Sequence, residues 1–79
     1  MKKPPAPRFV MGAHVTWNSE AGWVKGRIVA IHEQDFLVQG YTHHASPEDP
    51  QYAIQSDTGH HVAYHKGTAL RLVDEKSWS

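Results

Sequence analysis

The 79-residue chain has no cysteine, no net charge and no long hydrophobic run. Without cysteine it forms neither a disulfide framework nor a Cys-containing zinc site, which fits a reducing, cytoplasmic compartment. Eight basic and eight acidic residues cancel. Nucleic-acid-binding domains are usually strongly basic, so this neutrality argues against that partner. No apolar run approaches the roughly 18 residues of a membrane span. We therefore expect one small cytoplasmic domain with no membrane segment.

The sequence also lacks a convincing amphipathic helix, and the spacing of its turn residues is typical of short strands. Residues 13–17 alternate, which places Ala13, Val15 and Trp17 on one face. A second strand, rich in β-branched and aromatic residues, is interrupted by Gly26, and a glycine inside a strand typically marks a bulge or a bend. Turn residues separate the remaining segments, and a single 3₁₀-like turn is predicted at 66–68. The predicted strands are 13–17, 23–32, 52–56, 60–64 and 69–73, which together predict a partly open all-β barrel.

The predicted barrel occupies residues 9–73 and is flanked by two tails. Residues 1–8 hold three of the five prolines, which predicts a flexible, extended tail. Residues 74–79 form a polar C-terminal tail that contains Trp78. Residues 33–50 are predicted as a long loop in which 35–38 pairs only briefly. Loops of this length in small domains are often functional.

Four segments, 11–22, 26–29, 40–52 and 65–70, resemble the hypervirulence-associated protein Tudor-domain family. The most specific stretch reads Gly-Tyr-Thr-His-His-Ala-Ser-Pro-Glu-Asp-Pro-Gln-Tyr, from Gly40 to Tyr52. The resemblance covers about residues 10–73 and implies a five-stranded SH3-like/Tudor-like small barrel, in agreement with the strand pattern. It implies no established activity.

A weaker resemblance is to the plasmid-borne type B dihydrofolate reductases, which are SH3-like tetramers that bind NADPH and dihydrofolate in a central pore. The pore motif of that family is Val-Gln-Ile-Tyr, whereas residues 62–65 read Val-Ala-Tyr-His. Ala63 therefore stands at the position of the pore glutamine, His65 at that of the tyrosine, and Trp17 at that of the pore lysine. The resemblance carries over the barrel and not the reductase activity.

Aromatic and histidine residues supply the candidate binding site. In Tudor domains, aromatic side chains near strand ends form cages for methylated ammonium groups, whereas large side chains also simply fill a small core. Histidines in the long loop are expected to hydrogen-bond to backbone or to Asp49. The candidate ligand-binding residues are Trp17, Trp23, Tyr41, His43, His44, Tyr64 and His65. The candidate interface of a homo-oligomer consists of Trp23, Val62, Tyr64 and His65, and four copies of His65 would converge in a tetramer.

No catalytic residue and no metal site is predicted, although seven residues are histidine. No spacing of the HExxH type is present, and His60 and His61, as neighbours on a strand, would point to opposite faces. No serine lies in a nucleophile-elbow context, and no glycine-rich loop opens a helix.

The sequence thus predicts a non-enzymatic binding module for an unidentified protein or small-molecule ligand. The first alternative is an oligomeric, NADPH-binding barrel with weak or lost dihydrofolate reductase activity. The second is a binder of single-stranded nucleic acid, because Lys25 and Arg27 lie on one strand face beside Trp23.

Overall fold

A five-stranded antiparallel sheet and a separate two-stranded hairpin form the fold in the computed structural model, which describes residues 8–73. The strands are β1 (His14–Ser19), β2 (Gly22–His32), β3 (Phe36–Val38), β4 (Tyr41–His43), β5 (Gln51–Ser56), β6 (Val62–Lys66) and β7 (Arg71–Leu72). The sheet order is β6-β5-β2-β1-β7, and β3 pairs with β4. The predicted all-β class and five-stranded SH3/Tudor-like barrel are confirmed. Within residues 8–73 no helix has the length and apolarity needed to cross a bilayer.

Alternation along β1 and β2, together with the buried centre of β5, builds one apolar core. Its fully or nearly fully buried side chains are Val15, Trp17, Ile28, Tyr52, Ile54 and Leu70. Burying an aliphatic or aromatic side chain of this size contributes about 1.5–3 kcal/mol, so this small set dominates the stability of the domain. The hydroxyl of the buried Tyr52 is not left unsatisfied, because it accepts a hydrogen bond from the Phe9 amide at 3.0 Å.

Gly26 allows a close approach between β2 and β5. A methyl group at this position would overlap the carbonyl oxygen of Gln55 and lie 2.8 Å from Cγ2 of Ile54. The bulge that the sequence predicts near Gly26 lies further along the strand, where the register with β5 shifts between Ile28 and Ala30. The glycine is therefore required by packing, and the bend comes after it.

The segment predicted as a long loop contains the β3–β4 hairpin. Gln39 and Gly40 connect the two strands with φ angles of 51° and 81°, the positive values that a two-residue type I′ turn needs. Phe36 pairs with His43, and Val38 pairs with Tyr41. The sequence did not predict β4, because residues 39–44 are polar and this short strand is largely exposed rather than half-buried.

Two other predicted boundaries differ. His60 and His61 lie in the turn between β5 and β6, so they do not alternate on a strand as predicted. The last strand is shortened to Arg71–Leu72, because the 3₁₀ turn extends over Gly67–Ala69.

The predicted tails lie almost entirely outside the described residues, Trp78 included. Only Arg8, the last residue of the predicted N-terminal tail, is described, and it contacts the fold. Its guanidinium group donates hydrogen bonds of 2.6 Å to the Pro47 carbonyl and to Glu33.

Candidate functional site

An open groove of about 430 Å³ lies between β4 and β6. We call it the β4–β6 groove. Its lining combines aromatic rings, imidazoles, one ammonium group and two neutral polar side chains: Tyr41, Thr42, His43, His44, Gln51, Tyr64, His65 and Lys66. Among the strands of residues 8–73, β4 pairs only with β3 and β6 only with β5, so both lie at the edge of their sheets.

Strand register places Tyr64 and Lys66 on the sheet face opposite the core. Directly paired residues of antiparallel strands project from the same side of a sheet. Lys66 is paired with Gln51, which is in turn paired with His32. Tyr64 follows the same period-two pattern, because it is separated from Lys66 by one residue.

A stack of rings holds the β3–β4 hairpin against this face. The Phe36 ring lies between two imidazoles, stacked on His32 with a centroid distance of 3.9 Å and on His43 at 5.0 Å. Tyr64 contacts this stack from β6, at 5.5 Å from the Phe36 ring and 5.2 Å from the His43 ring. Tyr41 meets His43 edge-on at 5.2 Å. The stack therefore fixes the distance between the two walls of the groove.

His65 has a different environment from the rest of the lining. It is paired with the fully buried Tyr52, so its side chain starts on the core side of the sheet. Its ring lies 5.4 Å from that of Trp17. Burial lowers the pKa of His65, because desolvation disfavours the imidazolium form. We expect His65 to present a neutral imidazole at the edge of the groove at neutral pH.

Asp35 fixes the chain that follows β4. Its carboxylate accepts a hydrogen bond of 2.9 Å from the Ala45 amide, and Nδ1 of His44 lies 3.2 Å from it. These two contacts, the backbone one first, hold the pKa of Asp35 below its usual range. The carbonyl of His44 also accepts a hydrogen bond of 2.9 Å from the Gln51 side chain. The predicted role of His44 in tethering the long loop thus has a direct counterpart, although its side chain contacts Asp35 rather than Asp49.

Lys66 is the ammonium group of the groove and is held by Asp49 at 2.8 Å. Asp49 belongs to a tight turn in which its amide bonds to the backbone and side chain of Ser46. The other carboxylate oxygen of Asp49, Oδ1, is buried and has no hydrogen-bond partner among residues 8–73. The ion pair is about 40% exposed on both sides, so its contribution to stability is on the order of 0–1 kcal/mol.

The structure brings together five of the seven predicted ligand-binding residues, namely Tyr41, His43, His44, Tyr64 and His65. Trp17 is only 5% exposed and belongs to the core, so it does not form part of a surface cage. Trp23 is 59% exposed but lines a separate groove of about 290 Å³ with Val24, Lys25, Asp57 and Thr58. The first hairpin and the long loop therefore do not share one recognition surface.

The predicted oligomer-interface residues are spread over three places. Val62 and Tyr64 both lie on the outer face of β6, whereas the side chain of His65 leaves the strand on the core side. Trp23 lies near the β1–β2 turn, where it is paired with Asn18. Self-association stays a prediction.

Sequence reasoning missed the parts of the site that depend on the hairpin. Phe36 and His32 form the ring stack, and Gln51, Thr42 and Lys66 line the groove, but none was a candidate. Gly40, two residues after the apolar triplet Phe36–Val38, is the turn signal that sequence reasoning could have used for the hairpin. Once β4 is placed, Phe36 follows from its pairing with His43.

The histidines do not form a metal-binding arrangement in the described part of the chain. No group of three or more His, Asp or Glu side chains within residues 8–73 is placed to hold a metal ion. His14, for example, lies 2.6 Å from Asp57, which is an ion pair or hydrogen bond on the outer face of the sheet.

A small SH3/Tudor-like barrel with an aromatic groove is the architecture of a binding or interaction module. The model of the hypervirulence-associated protein Tudor-domain family matches residues 12–70. The match covers most of the chain, and the chain belongs to this family. A comparison with curated proteins and one with solved structures each give no match.

Proposed function

We propose that this chain is a non-enzymatic interaction module that binds an extended peptide segment in the β4–β6 groove. The observation that carries the proposal is the position of the groove between two strand edges, those of β4 and β6. An edge strand presents unpaired N–H and C=O groups, which an incoming extended peptide can pair with as an added strand. Main-chain pairing supplies affinity in this mode, and pockets for alternate side chains supply specificity.

The aromatic walls suit the side chains of such a peptide. Tyr41 is 69% exposed, and its ring lies beside that of His43. Tyr64 forms part of the opposite wall. Exposed tyrosines at the rim of a groove offer a rigid apolar face together with a hydroxyl group, and they lose little conformational entropy on binding. An aromatic or proline side chain of the peptide would pack between these rings.

The charge of the lining favours an acidic or neutral peptide over a cationic one. Lys66 supplies an ammonium group to the lining, and none of the described lining residues is a carboxylate. A methylated ammonium ligand would lose its hydration without gaining a carboxylate partner, so the cage function common in Tudor domains has less support here. An acidic side chain next to Lys66 would compete with Asp49 for its ammonium group.

A synthetic array of ten-residue peptides that vary in net charge and aromatic content tests the proposal. We expect acidic peptides with one or two aromatic residues to bind best and the Tyr64→Ala variant to lose that binding. Trp23→Ala is the matched control, since it removes an exposed ring from the other groove and should leave peptide binding unchanged. Equal binding by wild type and Tyr64→Ala would contradict the proposal, as would a preference for basic peptides.

The NADPH-binding tetramer and the cytoplasmic location stay predictions. Trp17 and Ala63 replace the pore lysine and glutamine of the weaker resemblance. Sedimentation at about pH 6 and pH 8, the range in which histidine titrates, together with NADPH fluorescence titration tests the oligomer directly. A tetramer that quenches NADPH fluorescence would replace the peptide-binding proposal.

A further inference from the structure

The outer face of β1, β2 and β7 carries a second group of residues that the proposed peptide site does not use. Along β2, Trp23, Lys25 and Arg27 are all exposed and separated by one residue, so they project from one side of the strand. Thr16 of β1 is paired with Lys25 on one side and with Arg71 of β7 on the other. Lys25 and Arg71 therefore lie in one row, two strand spacings or about 9.5 Å apart.

Trp23 is the aromatic centre of this face. It is 59% exposed, and the guanidinium carbon of Arg71 lies 5.6 Å from its ring centroid. The 290 Å³ groove beside it is lined by Lys25, Asp57 and Thr58 as well as by Val24. One side of the indole thus has a cation over it, and its exposed part borders a groove with a second cation.

Among the described residues of this face, cations outnumber carboxylates, although the whole chain is formally neutral. These cations are Lys25, Arg27 and Arg71, and the described carboxylate is Asp57. Asp57 lies 2.6 Å from Nε2 of His14, so its carboxylate already has a hydrogen-bond partner on this face. Arg27 donates a hydrogen bond of 3.1 Å to the Gly12 carbonyl, which holds its guanidinium group over the sheet. The three cations therefore lie within two neighbouring rows of the sheet.

We propose that this face binds single-stranded nucleic acid, with a base stacked on Trp23 and phosphates contacted by Lys25, Arg27 and Arg71. Every base offers a π-face, so one exposed indole flanked by cations binds single strands with little sequence preference. Lys25 and Arg27 are about 7 Å apart along the strand and Arg71 extends the row sideways, so the cations can follow a backbone rather than one isolated anion. A duplex keeps its bases stacked and paired, which denies Trp23 a partner.

The test measures the fluorescence anisotropy of a labelled twelve-nucleotide oligo-dT over a range of salt concentrations. Each phosphate contact to a single strand adds about −0.7 to the slope of log K against log salt, so three cations predict a slope of about −2. Lys25→Gln and Arg71→Gln should each reduce the slope by about 0.7. Trp23→Ala should weaken binding about 5- to 150-fold, the range for losing one base stack.

Two further variants keep the result interpretable. Trp23→Phe retains a ring and should recover most of the affinity, which separates stacking from a general loss of structure. Tyr64→Ala, in the β4–β6 groove, is the matched control and should bind oligo-dT like the wild type. Circular dichroism confirms that each variant is folded.

Several results would overturn the proposal. They are no binding at low salt, an unchanged affinity of Trp23→Ala, and equal affinity for a twelve-base-pair duplex. A parallel loss in Tyr64→Ala would also overturn it, because binding would then belong to the peptide groove. The peptide array and the oligo-dT titration probe grooves that share no lining residue, so failure of one leaves the other intact.

Discussion

Replacing Phe36 with alanine tests whether the ring stack holds the β3–β4 hairpin to the sheet. Phe36 is half-buried and stacks on two imidazoles while contacting Tyr64. Truncating a fully buried phenylalanine costs about 3–5 kcal/mol, and half-burial reduces this to about 2 kcal/mol. The β3–β4 hairpin is short and pairs with no other strand in the described part of the chain. Much of this loss should therefore appear as detachment of the hairpin from the five-stranded sheet.

The free energy of unfolding is measured by urea denaturation followed by circular dichroism. A loss of about 2 kcal/mol corresponds to a fall in melting temperature of about 8–16 °C for a domain of this size. Leu37→Ala is the matched control on the same strand, because Leu37 is 70% exposed and its loss should cost less than about 0.5 kcal/mol. Equal losses for the two variants, or a loss below about 0.5 kcal/mol for Phe36→Ala, would refute the stacking argument.

Three more perturbations follow from single contacts. Gly26→Ala should destabilise the fold by more than about 2 kcal/mol in thermal melts, because the added methyl overlaps the backbone of β5. Gly59→Ala is the control, because its added methyl would meet no atom closer than 3.8 Å and should change the stability little. Burial lowers the pKa of His65 in the folded state, so as the pH falls the unfolded chain takes up this proton at a higher pH than the folded chain does. The free energy of unfolding should therefore decrease as the pH drops below about 6.5. Urea titrations at about pH 5.5 and pH 7.5 should show that loss in the wild type and a smaller one in His65→Gln; an identical pH dependence would contradict it. Asp49→Asn should cost less than about 1 kcal/mol, yet it should tighten binding of acidic peptides by releasing Lys66; weaker binding would count against the charge argument.

The barrel could be predicted because its core follows simple alternation. Val15 and Trp17 share a face, and both are buried. Burial of one face gives a strand its alternating apolar pattern, and turn residues mark the two ends of the strand. The 3₁₀ turn before β7 follows from the Gly67-Thr68 pair in the same way. In these elements the local pattern of apolar and turn residues agrees with the observed fold.

The placement of the two tryptophans depends on register, which the sequence pattern left open. A broad turn over 18–22 is compatible with several pairings. The observed turn has only two residues between β1 and β2, and it pairs Trp23 with Asn18 rather than with a core residue. A slip of one residue would reverse the face of every side chain on β2. Trp17 and Trp23 look alike in the sequence and lie on opposite sides of the sheet.

The β4–β6 groove could be predicted only in part because it depends on contacts distant in sequence. Tyr64 and His43 were candidates, but the ring that joins them, Phe36, was not. Its position requires the Gln39-Gly40 turn, and glutamine is an uncommon residue at φ 51°. Stacking on His32 then links β3 to β2, which no local pattern encodes.

The most direct test of the peptide site is a backbone amide chemical-shift map, recorded on the isotope-labelled protein during titration with an acidic, aromatic peptide from the array. We predict that the largest shifts fall on β4 and β6, at Tyr41–His43 and Val62–Lys66, with new protection from hydrogen exchange along the free edge of one of these strands. Shifts centred on Trp23 and Arg71, or an absence of shifts on both edges at saturation, would contradict the assignment of the β4–β6 groove.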